Sequence, residues 1–193
     1  MPRLILVKHS LPEIVRGAPA RQWPLSAEGR LRSHALVERL SAYAPQGIVS
    51  STEPKAVETA QIVAAALNLS CQAVEGLHEH DRSDVGWLSA EQMEAAVADF
   101  FARPGELVFG SETADQARVR FSQAVAGVIE RHGGQTTVVV AHGTVITLYV
   151  SRLAGLEPFP FWKRLGLPSF VVLSLPDLKL LDVSGKVEAK RGT

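Results

Sequence analysis

Long apolar runs, cysteine and net charge are all scarce in this chain. No stretch reaches the roughly 18 uninterrupted apolar residues that a spanning helix needs, and no basic segment followed by a long apolar run opens the sequence. Neither a membrane span nor a secretory leader is therefore expected. Cys71 is the only cysteine, which excludes an internal disulfide and suits a reducing compartment, so a cytoplasmic location is the expectation. Twenty Lys and Arg balance twenty Asp and Glu, so no overall field favours nucleic acid or an anionic membrane as partner. Any anionic ligand must be held by local charges. Internal repeats, low-complexity tracts and linker-like shifts in composition are missing as well. Apolar content is not scarce: 193 residues that are 46% hydrophobic can bury a sizeable core, and one domain over residues 1–193 is expected. The sequence leaves the oligomeric state open.

The apolar residues come in two rhythms. Residues 3–8, "GIVSS" at 47–51 and "TTVVVAH" at 136–142 are brief, rich in branched residues and ended by a polar one, which predicts short buried strands. Between them the period lengthens. Ala56, Val57, Ala60, Val63, Ala64 and Leu67 share one helical face behind Pro54, and Leu36, Val37, Leu40 and Tyr43 share another behind Ser26, a predicted N-cap. Ser89 with Gln92 and Thr113 with Gln116 predict capping boxes, and Gly133 and Gly134 should end the second of these helices. "SFVVLSLPDLKLL" predicts a late strand or hairpin. Alternating strands and helices imply an α/β fold, with a mainly parallel central sheet covered on both faces as a three-layer α/β/α sandwich, and with ligands bound at the carboxyl ends of the strands.

Two histidines stand at such ends. In "LILVKHS", Lys8 and His9 follow four branched apolar residues, and in "VVVAHGTV" His142 precedes Gly143 and an apolar helical segment. A histidine beside the first N–H groups of a helix suits an anion by geometry and by dipole. Lys8 adds charge, as does Lys55 from the first turn of the helix after "VSS". Singly, each residue reads as an ordinary structural or solvated side chain; their joint position at strand ends shifts the reading toward a site.

Five ordered segments between residue 3 and about residue 150 carry a resemblance: "VKHS", "PLSAEG" at 24–29, "SSTEPKAVETA" at 50–60, "LHE" at 77–79 and "VAHG". Together they resemble the motifs of the histidine phosphatase superfamily, the phosphoglycerate mutase-like proteins. Lys8 and Lys55 stand where that family has arginine, and Ser10 where it has glycine. A guanidinium grips two phosphate oxygens in a planar fork, whereas an ammonium is a compact charge with less directional control.

What the resemblance implies is a phosphoglycerate mutase-like fold and a metal-independent phosphatase acting on a small phosphate monoester. His9 would be the nucleophile that forms a phosphohistidine, with His142 as the second catalytic histidine and Glu79 as the proton donor, Asp81 being the alternative. Lys8, Ser10, Lys55 and Gly143 would bind phosphate. Arg16 and Arg21, in the Pro-rich loop after the first strand, could contact substrate. Residues 78–112, with Trp87, Phe100, Phe101 and Phe109, correspond to a small cap, which suits a monoesterase better than a mutase. "HEH" at 78–80 is a weak metal signal without a cysteine cluster, and neither metal nor other cofactor is expected. The alternatives are a mutase, a phosphoprotein phosphatase, or a phosphate-binding regulatory module with little turnover.

Overall fold

The computed structural model describes residues 1–82 and 84–188, so Ser83 and the last five residues of the expected 1–193 domain lie outside the described residues. Six strands form one sheet: β1 (Arg3–Lys8), β2 (Gly47–Ser50), β3 (Cys71–Ala73), β4 (Thr137–Ala141), β5 (Ser169–Ser174) and β6 (Leu180–Ser184). Their order is β3-β2-β4-β1-β5-β6. The β3–β2, β2–β4 and β4–β1 pairings are parallel, and β5 runs antiparallel to both β1 and β6. The sheet is mostly parallel, as expected.

Among the described residues six α-helices cover it: α1 (Ala27–Ser41), α2 (Pro54–Leu67), α3 (Ala90–Ala102), α4 (Ala114–Arg131), α5 (Gly143–Ala154) and α6 (Pro158–Arg164). Their starts follow local chemistry. The Ser26 hydroxyl accepts from Gly29 N–H, and both capping boxes form, at Ser89–Gln92 and Thr113–Gln116. Each such cap stabilises its helix by about 1 kcal/mol.

The period of two along the strands divides the core between two faces. Ile5, Val7, Ile48, Val138, Val140, Phe170 and Val172 pack with Leu36, Leu40, Ala56, Ala60 and Val63, from α1 and α2. Leu4, Leu6, Val49, Val139, Ala141, Val171 and Leu173 face the other way, toward side chains of α3, α4, α5 and α6. The result is the three-layer α/β/α sandwich. Each fully buried aliphatic chain contributes roughly 1.5–3 kcal/mol relative to exposure. Phe100, Phe101 and Val97 of α3 lie in this second core cluster, with Phe109 packed against it. The segment expected to cap the site is thus anchored in the main core, while Trp87 stays 70% exposed.

Because β1, β2 and β4 run parallel, Lys8, Ser50 and Ala141 end on one edge of the sheet. The ladder continues one residue further: His9 N–H donates to Ala141 O at 3.0 Å and Ser51 N–H to Val140 O at 2.8 Å. These bonds fix the backbone from which the site is built.

Candidate active site

A cavity of about 550 Å³ opens at that edge, within the usual range for small-molecule sites, and its wall includes Lys8, His9, Lys55, Glu79, His142 and Gly143. His9 and His142 face each other, with ring centroids 5.1 Å apart and planes inclined at 61°. Each ring has one nitrogen already engaged. His9 Nδ1 lies 2.7 Å from Ser10 O. A carbonyl can only accept, so Nδ1 carries the proton and Nε2 keeps its lone pair. Burial lowers the His9 pKa well below the usual imidazole value, and His142 and Lys55 push it further down. His9 is therefore a neutral nitrogen base with its free lone pair opposite the backbone bond.

His142 Nε2 lies 2.7 Å from Ser51 Oγ and 3.5 Å from Glu53 Oε1. Its Nδ1 is buried and makes no hydrogen bond. Burial also lowers the His142 pKa well below the usual value; Glu79 opposes the shift, and Lys55, Arg82 and His78 add to it.

The two lysines are tied rather than loose. Lys8 Nζ donates to Leu165 O at 2.7 Å, and its stem lies across the start of α5, where a Cβ on Gly143 would come 3.0 Å from Lys8 Cε. Gly143 is what lets Lys8 pass. Burial brings the Lys8 pKa down to about 8, with Glu79 raising and Arg82 lowering it. Lys55 Nζ donates to Ala20 O at 2.7 Å and pairs with Glu53 Oε2. An ammonium has three donors, so Lys8 keeps two for a ligand and Lys55 keeps one.

Glu79 accepts from Thr144 N–H at 3.1 Å and Val145 N–H at 3.3 Å, at the positive end of α5. Burial pushes its pKa up, but Arg82, His142 and the His80 and Thr144 N–H groups outweigh that and hold it at about 2. In the free site it is a carboxylate occupying the N–H groups that an incoming oxyanion would use. To donate a proton, it would first have to lose those contacts and have its pKa raised by a ligand. Asp81, the alternative donor, also lines the cavity. The loop carrying Glu79 is clamped by Arg120 of α4, which donates to Gly76 O, His78 O and Glu79 O and pairs with Glu112.

Two expected residues are not brought to the cavity. Ser10 is fully buried on the other side of the strand end: its hydroxyl donates to Gly29 O at 2.7 Å, and its N–H donates to Thr59 Oγ1 at 3.1 Å. Holding α1 and α2 against the backbone beside His9 leaves Ser10 no free donor for a ligand. Arg16 is exposed outside the cavity lining, whereas Arg21 lines it. His80 packs its ring 4.1 Å from that of Phe100 and places Nε2 3.2 Å from Glu112 O, and no group of three or more His, Cys, Asp or Glu among the described residues is arranged to hold a metal.

Sequence reasoning missed Glu53, Ser51 and Arg120. Glu53 sits at the N-cap of α2 beside Pro54, where a carboxylate reads as a solvated partner of the helix dipole; here it makes no side-chain cap bond and turns into the cavity wall. Arg120 gave no signal, since its role depends on how α4 packs beside a distant loop.

The family model of the histidine phosphatase superfamily (branch 1) matches residues 4–177, and the chain belongs to that superfamily. A comparison with curated proteins found no match. Among solved structures, the chain is similar to YhfR from Bacillus stearothermophilus, at 23% identity and TM-score 0.77 over 98% of this chain and 99% of that one. It is also similar to Entamoeba histolytica phosphoserine phosphatase in complex with 3-phosphoglyceric acid, at 19% identity and TM-score 0.77 over 95% and 97%. A third is mycobacterial glucosyl-3-phosphoglycerate phosphatase, at 21% identity and TM-score 0.73 over 97% and 98%. These likenesses establish the fold, and no helix among the described residues is long and apolar enough to cross a membrane.

Proposed function

We propose that the chain is a cytoplasmic, metal-independent phosphatase that hydrolyses a small phosphate monoester through a phosphohistidine on His9. The observation that carries this reading is the Nδ1 contact to Ser10 O, which leaves the Nε2 lone pair of a neutral His9 free opposite His142. In the first step Nε2 attacks phosphorus in line and the ester P–O bond breaks; Glu79, protonated in the bound state, passes its proton to the leaving alkoxide. In the second, water attacks the phosphohistidine, Glu79 takes its proton back, and phosphate leaves. Lys8, Lys55, His142 and the start of α5 at Gly143 stabilise the charge on the equatorial oxygens.

Lysines in place of the family's two arginines mark this as a variant site, with charge kept and the fork geometry given up. The names of the similar structures, phosphatases of phosphoserine and of glucosyl-3-phosphoglycerate, support a compact phosphorylated substrate, and the segment at 78–112, with Arg21 at the mouth, is the proposed selector. A second reading, a phosphate-binding module with weak turnover, draws on the ammonium donors already spent on Leu165 O, Ala20 O and Glu53.

A screen of phosphate esters with EDTA present separates these readings. The proposal expects phosphate release that EDTA does not change. Phosphate binding without release of product favours the module, and release abolished by EDTA contradicts metal-free chemistry.

A further inference from the structure

Glu53 is a carboxylate built into the wall of a pocket that otherwise gathers positive charge. It is 7% exposed, and a buried carboxylate is costly unless it is paired and hydrogen-bonded. Both oxygens are engaged: Oε2 pairs with Lys55, while Oε1 accepts from Glu79 N–H at 2.8 Å and lies 3.5 Å from His142 Nε2. Glu53 N–H in turn donates to Ser51 Oγ at 3.1 Å, the same hydroxyl that meets His142 Nε2. One side chain thus ties together the cation of α2, the loop of the proton donor and the second histidine.

We propose that Glu53 is a positioning residue: it fixes Lys55 with one oxygen and backs His142 with the other, so that His142 takes up a proton when a phosphoryl dianion enters and donates from Nδ1 to that group. The inference rests on the phosphoryl-site reading above and adds a role that neither motif nor resemblance assigns.

The carboxylate behind Nε2 favours a proton on that nitrogen, and Nδ1 is the ring's remaining position, buried without a hydrogen bond. Donation from Nδ1 then requires both nitrogens protonated. In the free site the charges facing His142 are Glu79 and Glu53 on one side and Lys55, Arg82 and Lys8 on the other, with His9 and His78 beside it. A dianion arriving at His9 tips that balance, since an opposite charge within about 4–6 Å raises an imidazole pKa by roughly 1–3 units. Without Glu53, Lys55 loses its partner, Nε2 loses its carboxylate, and the dianion must charge the ring alone.

The probe is sulfate, a dianion that does not itself titrate near neutrality. Calorimetric titration at pH 7 in two buffers of different ionisation enthalpy counts the protons taken up on binding. For the wild-type chain uptake at His142 is expected beside the proton that Glu79 gains on binding, and the total should fall in Glu53→Gln and be partly restored in Glu53→Asp. Lys8, with a pKa of about 8, is about nine-tenths charged at pH 7 and adds at most about 0.1 proton to both chains alike. In a His142→Gln background, Glu53→Gln should change the uptake no further, which assigns the proton to the pair rather than to Glu79. A second measurement needs no variant: nitrogen-15 shifts of the His142 ring should show both nitrogens protonated at saturating sulfate. Equal uptake in Glu53→Gln, a neutral His142 ring in the complex, or no sulfate binding to the wild type overturns the inference. Ester hydrolysis with unchanged uptake in Glu53→Gln leaves the phosphatase standing and removes only Glu53; Glu53-dependent uptake without ester hydrolysis does the reverse.

Discussion

His9 and His142 stand 5.1 Å apart, ring to ring, at the carboxyl ends of adjacent parallel strands β1 and β4. The bond from His9 N–H to Ala141 O locks that spacing into the sheet rather than into a loop. Replacing His9 with alanine should therefore leave circular dichroism and the melting temperature close to wild type. It should lower kcat by at least about a thousand-fold, because in the proposed mechanism His9 is the group that forms the covalent intermediate. Retention of more than a tenth of wild-type turnover removes His9 from the mechanism.

Lys8→Met or Lys55→Met keeps most of the side-chain volume and removes one charge from the proposed phosphoryl site. The expected loss is about 2–4 kcal/mol of transition-state stabilisation, roughly 30- to 1,000-fold in kcat/KM. The double arginine variant tests geometry instead. Lys8 already lies against Gly143, and Lys55 is enclosed by Ala20 O and Glu53, so the bulkier guanidiniums should lower activity. A large gain in kcat/KM would show that the pocket still suits arginine.

In the proposed site Lys8 acts only when charged, and burial brings its pKa down to about 8. The protonated form is the active one, so kcat/KM should fall as pH rises through about 8. Lys8→Met should lose this alkaline limb along with its rate. His9 stays neutral across the same range, and an acid limb near pH 6 belongs to the ester's own second ionisation. An alkaline limb unchanged in Lys8→Met assigns it to another group.

Glu79→Gln should slow alkyl esters by about 100- to 10,000-fold while sparing aryl esters, whose phenolate leaves without a proton. Equal loss on both substrates makes Glu79 a binding residue. The same carboxylate affects acid stability. Its pKa of about 2 in the folded chain lies below its unfolded value of roughly 4.3, so its contribution is present above the unfolded value and lost as pH falls through about 2. Glu79→Gln should therefore show a smaller drop in melting temperature between pH 5 and pH 3 than wild type.

The strands β1, β2 and β4 and the capped starts of α1, α3 and α4 were legible because their signals are local: branched runs ending in a polar residue, and Ser or Thr three places before a partner. β3 was not, since Cys71–Ala73 is a three-residue edge strand with no apolar run. Nor was α6, a seven-residue helix with Pro158 and Pro160 in a first turn that leaves its N–H groups unpaired anyway. His9, His142, Lys8, Lys55 and Glu79 converge as their places at strand ends and adjacent loops implied. The directions of side chains are set by packing between distant segments, which is why Ser10 turns to Gly29 and Glu53 turns inward without any trace in the sequence.

The central claim is a covalent phosphoryl group on His9. Rapid quenching of the wild-type chain after mixing with an ester labelled with phosphorus-32, followed by peptide mapping, tests it directly. The account predicts a label on the peptide containing His9 that is stable to alkali and lost in acid. Kinetically competent turnover of the same ester with no label on His9, or a label that persists in His9→Ala, would contradict it.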